Sequence, residues 1–475
     1  MRFRGRRGTC LSVAVLALAL LAGCSRTDRQ EIAPEIARVS EAMPRWVDRG
    51  AFGKRLWAVE RQFYENRGHL PAWIDGDRPT SALDELLEVL RDADRHGLLP
   101  TAYGVDDLTA ARTQADDRWI GARFDKASVP ELDLKLTYAF LEHAGDLLGW
   151  RTSPRSIDPN WLDSPRKADL AASLRAAADE GKVRESLEAL APNHPQYKGL
   201  QAALVKYRKE GNQEAVEKIV MNLERWRWAP RDLGERHILV NVPTYQMQVV
   251  EDDKPVLAMR VIVGAPDTPT PLFSDQMTYV VFSPYWNIPE KILREETLPR
   301  LAEDPDYLTR NNMEVVGTSG EAVDVSGIDW TDEEATRELR FRQAPGPENA
   351  LGLVKFIFPN HFSVYLHDTP GDRLFNKETR TLSHGCIRVE KPVALAEYVL
   401  RDKANWTAQK IEAAMNGKTE QTVRLKAPLP VHIGYWTAWV GEDGNVTFAP
   451  DPYGLDRKQA AVRARRTAPP QQKAG

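Results

Sequence analysis

The sequence predicts an α+β multidomain chain: a helical N-terminal part, then a mainly β part with an inserted lid-like segment. Three observations carry that expectation. Upstream, apolar residues recur at helical spacing. At His237 the pattern changes to short β-branched runs bounded by Pro, Asp and Gly. Inside the β part, residues 300–350 turn polar and irregular, rich in Asp, Glu and Gly. A chain of 475 residues has room for about two to four domains and a sizeable core.

In chain order, residues 1–23 read as a leader and 24–45 as a polar tether. Residues 46–212 form the helical domain. In it Ser81-Ala-Leu-Asp84 is placed to cap a helix carrying Leu83, Leu86, Leu87 and Leu90 on one face, with Gly97 as its stop. Leu134, Tyr138 and Leu141 repeat that logic over 132–148, and Pro192 and Pro195 break the helical signal that follows. A connecting helix over 213–236 presents Val216, Ile219, Val220 and Leu223 and ends near Trp226-Arg-Trp228-Ala-Pro230. The β domain covers 237–416, with the insertion at 300–350. Its strand signals are His237–Val242, Gln246–Val250, Val256–Val263, Met277–Tyr285, Val354–Phe358 and Phe362–Leu366. Residues 417–455 add C-terminal strands packing on that domain, and 456–475 read as a disordered basic tail.

Charge narrows the function classes. The whole chain sits at −4, but its first 23 residues hold four Arg and no acid, and the residues from Asp456 hold six basic groups against one acid. The body between is therefore strongly acidic, a poor field for gripping phosphate backbones, so nucleic acid is not the expected partner. Three cysteines exclude a disulfide scaffold.

The basic start, the apolar stretch from Leu11 to Leu21 and then Leu21-Ala22-Gly23-Cys24 form a secretory leader too short to span a bilayer. Small residues before Cys24 resemble the bacterial lipobox, whose cysteine is lipidated and becomes the mature N-terminus. No Asp follows Cys24 to retain the protein on the inner membrane; Ser25 and Arg26 stand there instead. The expectation is a lipoprotein facing the periplasm of a Gram-negative envelope, tethered to the outer membrane through lipid on Cys24.

Cys386, the one cysteine of the body, stands in Ser383-His384-Gly385-Cys386-Ile387-Arg388-Val389, shortly after Tyr365-Leu366-His367-Asp368-Thr369-Pro370. A thiol is mostly protonated at neutral pH and needs a base or a cation beside it to react. His367 follows a strand-like run and could accept that proton, then return it to a leaving amine. Backbone N–H groups around Gly385 and Cys386 could approach a developing oxyanion. Taken alone, a lone Cys is more often a small buried hydrophobe. His367, His384 and Cys386 are also permissible zinc ligands, but without a second body cysteine or a His-Glu-x-x-His a nucleophile ranks above a metal site.

The same segment resembles the signature of the L,D-transpeptidase (YkuD-type) catalytic domain. Asn222 to Trp228, Pro284-Tyr-Trp-Asn-Ile-Pro289, Phe341-Arg-Gln343, Asn349-Ala-Leu-Gly352, His432 through Val440 and Asp451-Pro-Tyr-Gly454 are similar to the large, YcbB-like subgroup of envelope transpeptidases. Phe63-Tyr64, Pro71-Ala-Trp73, His96-Gly97-Leu98 and Asp158-Pro-Asn-Trp161 resemble that subgroup's helical scaffold domain. One departure stands out: the subgroup's peptidoglycan-binding module is missing, because Tyr207-Arg-Lys-Glu-Gly-Asn212 runs directly into the next helix.

The resemblance implies that Cys386 is the nucleophile and His367 its general base, acting on the peptide stem of peptidoglycan. Cys386 would form a thioester on a diaminopimelate-type third residue while D-alanine leaves, and an amine of a neighbouring stem would then attack to crosslink third residues. Ser383 and His384 would orient His367 or the thiol, with Gly385 at the oxyanion. Arg388 would pair with a stem carboxylate or within the fold, and Trp286, Tyr365 and Phe375 are candidates to line the cleft. No cofactor or metal is implied, and carbapenem-type inhibitors are expected to acylate Cys386. An L,D-carboxypeptidase using the same thioester, or a non-catalytic envelope scaffold, remain as alternatives.

Overall fold

The computed structural model describes residues 29–116, 121–162, 166–304 and 306–467. Cys24 and the leader lie outside the described residues. The chain forms two compact units, the first taking in residues to Ser156, Asp163–Arg231 and Ala438–Thr447, the second Ile157–Leu162, Asp232–Thr437 and Phe448 onward.

The first unit is helical. Residues 29–40, expected within a polar tether, form α1, which buries Ile32 and Ile36 one turn apart. α2 (Ala51–Asn66) leads to a tight hairpin of β1 (Ile74–Asp75) and β2 (Arg78–Pro79), then α3 (Ser81–Arg91). α3 is capped one residue earlier than expected: the Thr80 side chain accepts from Leu83 N, while Leu83, Leu86, Leu87 and Leu90 turn inward as their spacing requires. α4 (Val105–Asp116) and α5 (Val129–Leu147) follow, the latter buried along almost its whole length. Next come α6 (Leu170–Glu180), α7 (Val183–Glu188), α8 (Pro195–Lys209) and α9 (Gln213–Trp228). Only Glu210, Gly211 and Asn212 separate α8 from α9, and the Asn212 side chain caps α9 by accepting from Ala215 N. Residues of the expected scaffold motifs lock these helices. Arg227 donates to the His96 carbonyl at 2.9 Å, and a Cβ on Gly97 would press on Val220 at 3.1 Å.

Glu60 on α2 is an oddity of this unit: fully buried, with neither carboxylate oxygen hydrogen-bonded. Burial, then the nearby Asp133 and Glu142 carboxylates, raise its pKa well above the usual range, so the folded chain keeps its proton. The stability this confers is complete below the unfolded pKa of about 4.5 and is lost as pH rises toward the folded value. Glu60→Gln, which cannot ionise, should therefore gain on the parent as pH rises from 5 to 8 in urea melts. Equal midpoint differences at both pH values would refute a buried protonated acid.

In the second unit, β3 (Arg236–Asn241), β4 (Gln246–Glu251), β5 (Lys254–Gly264) and β6 (Phe273–Phe282) are followed by an insertion. Then come β10 (Val354–Ile357), β11 (Leu366–His367), β12 (Thr381–Ser383), β13 (Ile387–Val389) and β14 (Gln421–Gly434). Because β4 pairs with both β3 and β5, eight strands close into a ring in the order β3-β4-β5-β13-β11-β10-β6-β14, and β12 extends β5 in parallel. Closure leaves the ring no free edge. A register shift between Arg424 and Leu429 lets the long β14 bend along β6.

Residues 283–353 interrupt the ring between β6 and β10. They are not irregular: β7 (Trp286–Asn287), β8 (Met313–Val316) and β9 (Arg340–Gln343) form a separate sheet in the order β7-β9-β8. Its own core is Ile288, Leu293, Leu298, Leu301, Leu308, Val315 and Phe341. The subdomain thus begins at Trp286, ahead of the expected 300.

Two further corrections concern the ends of strands. Phe362–Leu366 was expected as a strand, but only Leu366–His367 joins the ladder. The Asn360 side chain captures backbone groups of Phe358, Phe362 and Val364 and curls that stretch into a turn with Ser363 at φ 57°. At the C-terminus, Val423–Val440 splits: β15 (Ala438–Val440) belongs to the first unit, where the Gln196 amide donates to the Val440 carbonyl at 2.7 Å. Residues 455–467 form a helix, where disorder is expected from residue 456 onward. The Asp451 carboxylate accepts from Leu455 N and Asp456 N, and Leu455 and Gln459 are buried. Residues 468–475 lie outside the described residues.

Candidate active site

β11 and β13 run parallel, with Leu366 opposite Ile387 and His367 opposite Arg388. Successive side chains alternate between faces, so the wholly buried Leu366 and Ile387 feed the core. Tyr365, His367, Cys386 and Arg388 therefore share the opposite face. Alternation in Tyr365-Leu366-His367 and Cys386-Ile387-Arg388-Val389 thus both anchors the strands and gathers the reactive groups.

The Cys386 thiol is partly exposed, and its Sγ lies 3.9 Å from the Ser363 carbonyl. Burial pushes it up to about 11, against the opposing pull of Tyr365 and the Arg388 charge, both of which favour the thiolate. His367 is buried, and its ring pKa falls to about 3, chiefly from burial, then from the Arg388 and Lys355 charges. His367 Nδ1 donates to the Asp368 carbonyl at 2.6 Å; a carbonyl can only accept, so Nε2 carries the lone pair. Among the described residues no hydrogen bond joins the imidazole to the thiol. Tyr365 stands beside both: its ring meets that of His367 edge-on at 5.8 Å, and its hydroxyl bonds toward Cys386.

At rest, then, thiol and imidazole are both neutral, not an ion pair. Alkylation of Cys386 by iodoacetamide should accelerate about tenfold per pH unit from pH 7 to 10, without a plateau, because only thiolate reacts. A plateau below pH 8 would reveal a preformed thiolate.

The loop that presents Cys386 is braced from several directions. Ser383 Oγ donates to the Cys386 carbonyl at 2.5 Å and accepts from Gly385 N at 3.2 Å. The Ser383 carbonyl takes Ala265 N at 2.8 Å, and Thr270 Oγ1 donates to the Gly385 carbonyl at 2.8 Å. Gly385 sits at φ 114°, where a side chain is strained whatever the space around it. The Gly385 N–H is therefore occupied by Ser383, whereas the Cys386 N–H has no protein partner among the described residues. Ser383 holds the backbone of the loop and touches neither His367 nor the sulfur.

Two other sequence-based placements change, those of His384 and Phe375, while Asp368 keeps its expected place in the turn. His384 does not face His367 or the thiol; its Nε2 pairs with Glu296 Oε1 at 2.6 Å, on the inserted subdomain. Phe375 is enclosed at 2% exposure and uses its carbonyl to hold Arg260, so it lines no cleft. Asp368 is a turn builder, accepting Leu353 N and Thr369 N, with Gly352 pressed against its carboxylate. Trp286, Thr369 and Arg388 do border a cavity of about 340 Å³, together with Glu296, Arg300 and Glu348. Arg388 Nε is buried there without a hydrogen-bond partner. Sequence reasoning missed Glu296, Thr270 and Ser363. Glu296 is one acid in an ordinary helical Glu-Glu pair, and the other two act through contacts more than 20 residues away along the chain.

Residues 235–431 match the family model of the L,D-transpeptidase catalytic domain, and residues 59–204 that of a scaffold domain. The chain holds an L,D-transpeptidase catalytic domain preceded by a scaffold domain. The catalytic-domain match takes in β3 to most of β14, the insertion and the Cys386 loop; the scaffold match runs from α2 into α8. A Haemophilus influenzae protein provisionally named an L,D-transpeptidase is 34% identical over 323 residues, 66% of this chain. The match spans 65% of that relative's own length. An L,D-transpeptidase from Mycobacterium smegmatis is 14% identical over 42% of this chain and 58% of its own, with a TM-score of 0.20. L,D-transpeptidase 3 from Mycobacterium tuberculosis, solved with a faropenem-derived adduct, is 13% identical over 42% of this chain and 60% of its own, at 0.19.

Proposed function

We propose that this chain is a peptidoglycan L,D-transpeptidase that crosslinks third residues of peptide stems in cell wall biogenesis and so supports cell shape. The observation that carries this reading is the partly exposed Cys386 thiol one strand from a buried, neutral imidazole whose Nδ1–H is fixed. Cys386 Sγ attacks the carbonyl of the third residue of a tetrapeptide stem as His367 Nε2 takes the thiol proton. Electron flow into the carbonyl and proton transfer are coupled, so no free thiolate is needed. The Cys386 N–H faces the oxyanion, while Ser383 and Gly385 hold the loop that presents it. The bond to D-alanine breaks, His367 returns the proton to the leaving amine, and a thioester remains. The side-chain amine of a neighbouring stem then attacks, the C–S bond breaks and the thiol is restored. Carbapenems would acylate the same sulfur. Lipid on Cys24 would tether the body to the outer membrane, facing the periplasm.

The test is to incubate residues 25–475 with purified disaccharide-tetrapeptide and read the products by mass spectrometry, beside Cys386→Ala. A Cys386-dependent dimer formed with loss of one D-alanine is expected. Monomeric tripeptide with free D-alanine would make water the acceptor, giving the carboxypeptidase. Absence of both products, with no carbapenem mass on Cys386, would leave a non-catalytic scaffold.

A further inference from the structure

The C-terminal helix (Leu455–Thr467) carries cations that the rest of the molecule does not answer. Leu455 and Gln459 are buried and set its inner face. Asp456 beside them is engaged, its carboxylate taking the Thr437 hydroxyl at 2.9 Å. At 3.6 residues per turn, Arg457, Lys458, Ala461 and Arg465 fall on the opposite side, and all four are exposed. Only Ala460, Ala461 and Ala464 stand between the charges, so the stripe is smooth and about 12 Å long from Arg457 to Arg465. Other arginines of this acidic body are matched by acids: Arg236 by Asp402, Arg260 by Glu390 and Arg342 by Glu314. None of Arg457, Lys458 and Arg465 has an ion pair among the described residues.

The helix starts beside the reactive loop. Tyr453, two residues before Leu455, accepts from Thr270 N at 3.2 Å and donates to the Gly264 carbonyl at 2.8 Å through one hydroxyl. Thr270 in turn donates to the Gly385 carbonyl at 2.8 Å. A single residue, Thr270, thus links the anchor of the helix to the loop that presents Cys386. Arg457 folds back toward that end, its Nη2 standing 3.2 Å from where a Cβ on Gly454 would lie.

We propose that this stripe is a docking surface for polymeric peptidoglycan, its cations meeting free carboxylates on stems next to the one that Cys386 attacks. The assignment rests on peptidoglycan being the substrate. Strands of that polymer carry carboxylates stem after stem. A line of fixed cations near the thiol engages several of them at once and raises the local concentration of stems. A fragment with a single stem is held at the thiol and has nothing left for the stripe. A lipid surface fits less well: a helix that lies in a membrane interface sinks Trp, Phe or Leu into it, and here alanines stand between the cations.

The experiment compares residues 25–475 as the parent, as a triple variant (Arg457→Glu, Lys458→Glu, Arg465→Glu) and as a charge-keeping variant (Arg457→Lys, Arg465→Lys). Each is sedimented with purified peptidoglycan sacculi at low and high salt, and D-alanine release is measured from sacculi and from disaccharide-tetrapeptide. The parent should sediment with sacculi at low salt and come free at high salt. The triple variant should bind about tenfold or more weakly, the scale on which fixed charges concentrate an opposite partner, and its ratio of sacculus rate to fragment rate should fall alike. The charge-keeping variant should match the parent. Any effect of the substitutions on the thiol falls on both substrates and cancels in the ratio. Equal sedimentation of the parent and the triple variant, or an unchanged rate ratio, would overturn the docking surface while leaving transpeptidation intact. Weaker binding of the triple variant to phosphatidylglycerol vesicles, with sacculi bound as before, would overturn it in favour of lipid. No D-alanine from either substrate would sink the enzyme reading, while salt-sensitive sedimentation lost in the triple variant would still uphold the surface.

Discussion

Cys386→Ala should lower D-alanine release by about a thousandfold or more, because no other thiol of the described residues exists to form the thioester. The substitution removes one sulfur from a partly exposed position and, with it, only the sulfur's own contacts to the Ser363 carbonyl and the Tyr365 hydroxyl; the bonds that brace the loop stay, since Ser383 grips the Cys386 carbonyl. Its denaturation midpoint should accordingly stay within the error of the parent. His367→Gln should cost about a hundredfold to ten-thousandfold, the range for losing a positioned general base. The double variant should be little worse than Cys386→Ala alone, because the base has no task without the thiol. Rates from single-turnover D-alanine release check all three, and additive losses in the double variant would mean that His367 acts elsewhere.

Asp133→Ala should destabilise the helical unit by about 3–5 kcal/mol, the range for stranding buried donors around a lost charge. The Asp133 carboxylate, wholly buried, accepts the Tyr64 hydroxyl at 2.6 Å, Ala72 N at 2.7 Å and Trp73 N at 2.8 Å. Thr137, one turn along α5, completes the cluster by meeting the Tyr64 hydroxyl at 2.7 Å and Trp73 Nε1 at 2.8 Å. Alanine leaves two backbone N–H groups without acceptors and opens a small void. Urea melts followed by far-ultraviolet circular dichroism should show the affected transition about 1 M or more lower. An unchanged midpoint would mean that water replaces the carboxylate at no cost. Asp133→Asn should fall between, since one of its two groups can still accept.

That cluster also shows what a motif conceals. Tyr64 and Pro71-Ala-Trp73 stood out in the sequence, yet the carboxylate they surround lies about 60 residues downstream on α5, where no local pattern distinguishes it from a surface acid. The leucines of α3 were legible because burial of a helix face needs only local spacing. His384 was misplaced for the opposite reason. Adjacency to Cys386 suggested a role at the sulfur, but neighbouring residues near a strand point to opposite faces, and His384 meets Glu296 instead. The C-terminal helix escaped notice because its polar composition looks unstructured until the Asp451 carboxylate and two buried side chains are seen to hold it.

By itself the sequence determined the class of each half, the nucleophile and base candidates and the alternation that places them on one face, since all of these follow from residue type and short-range period. Only the tertiary structure decided that the strands close into a ring, that the insertion has a core of its own, that Gly385 N–H is already taken, and that Arg388 borders a cavity with its Nε unbonded. Those outcomes depend on pairings between residues tens to hundreds of positions apart. Hydrogen-bond registry and the matching of buried charges set them, and no local pattern along the chain records either.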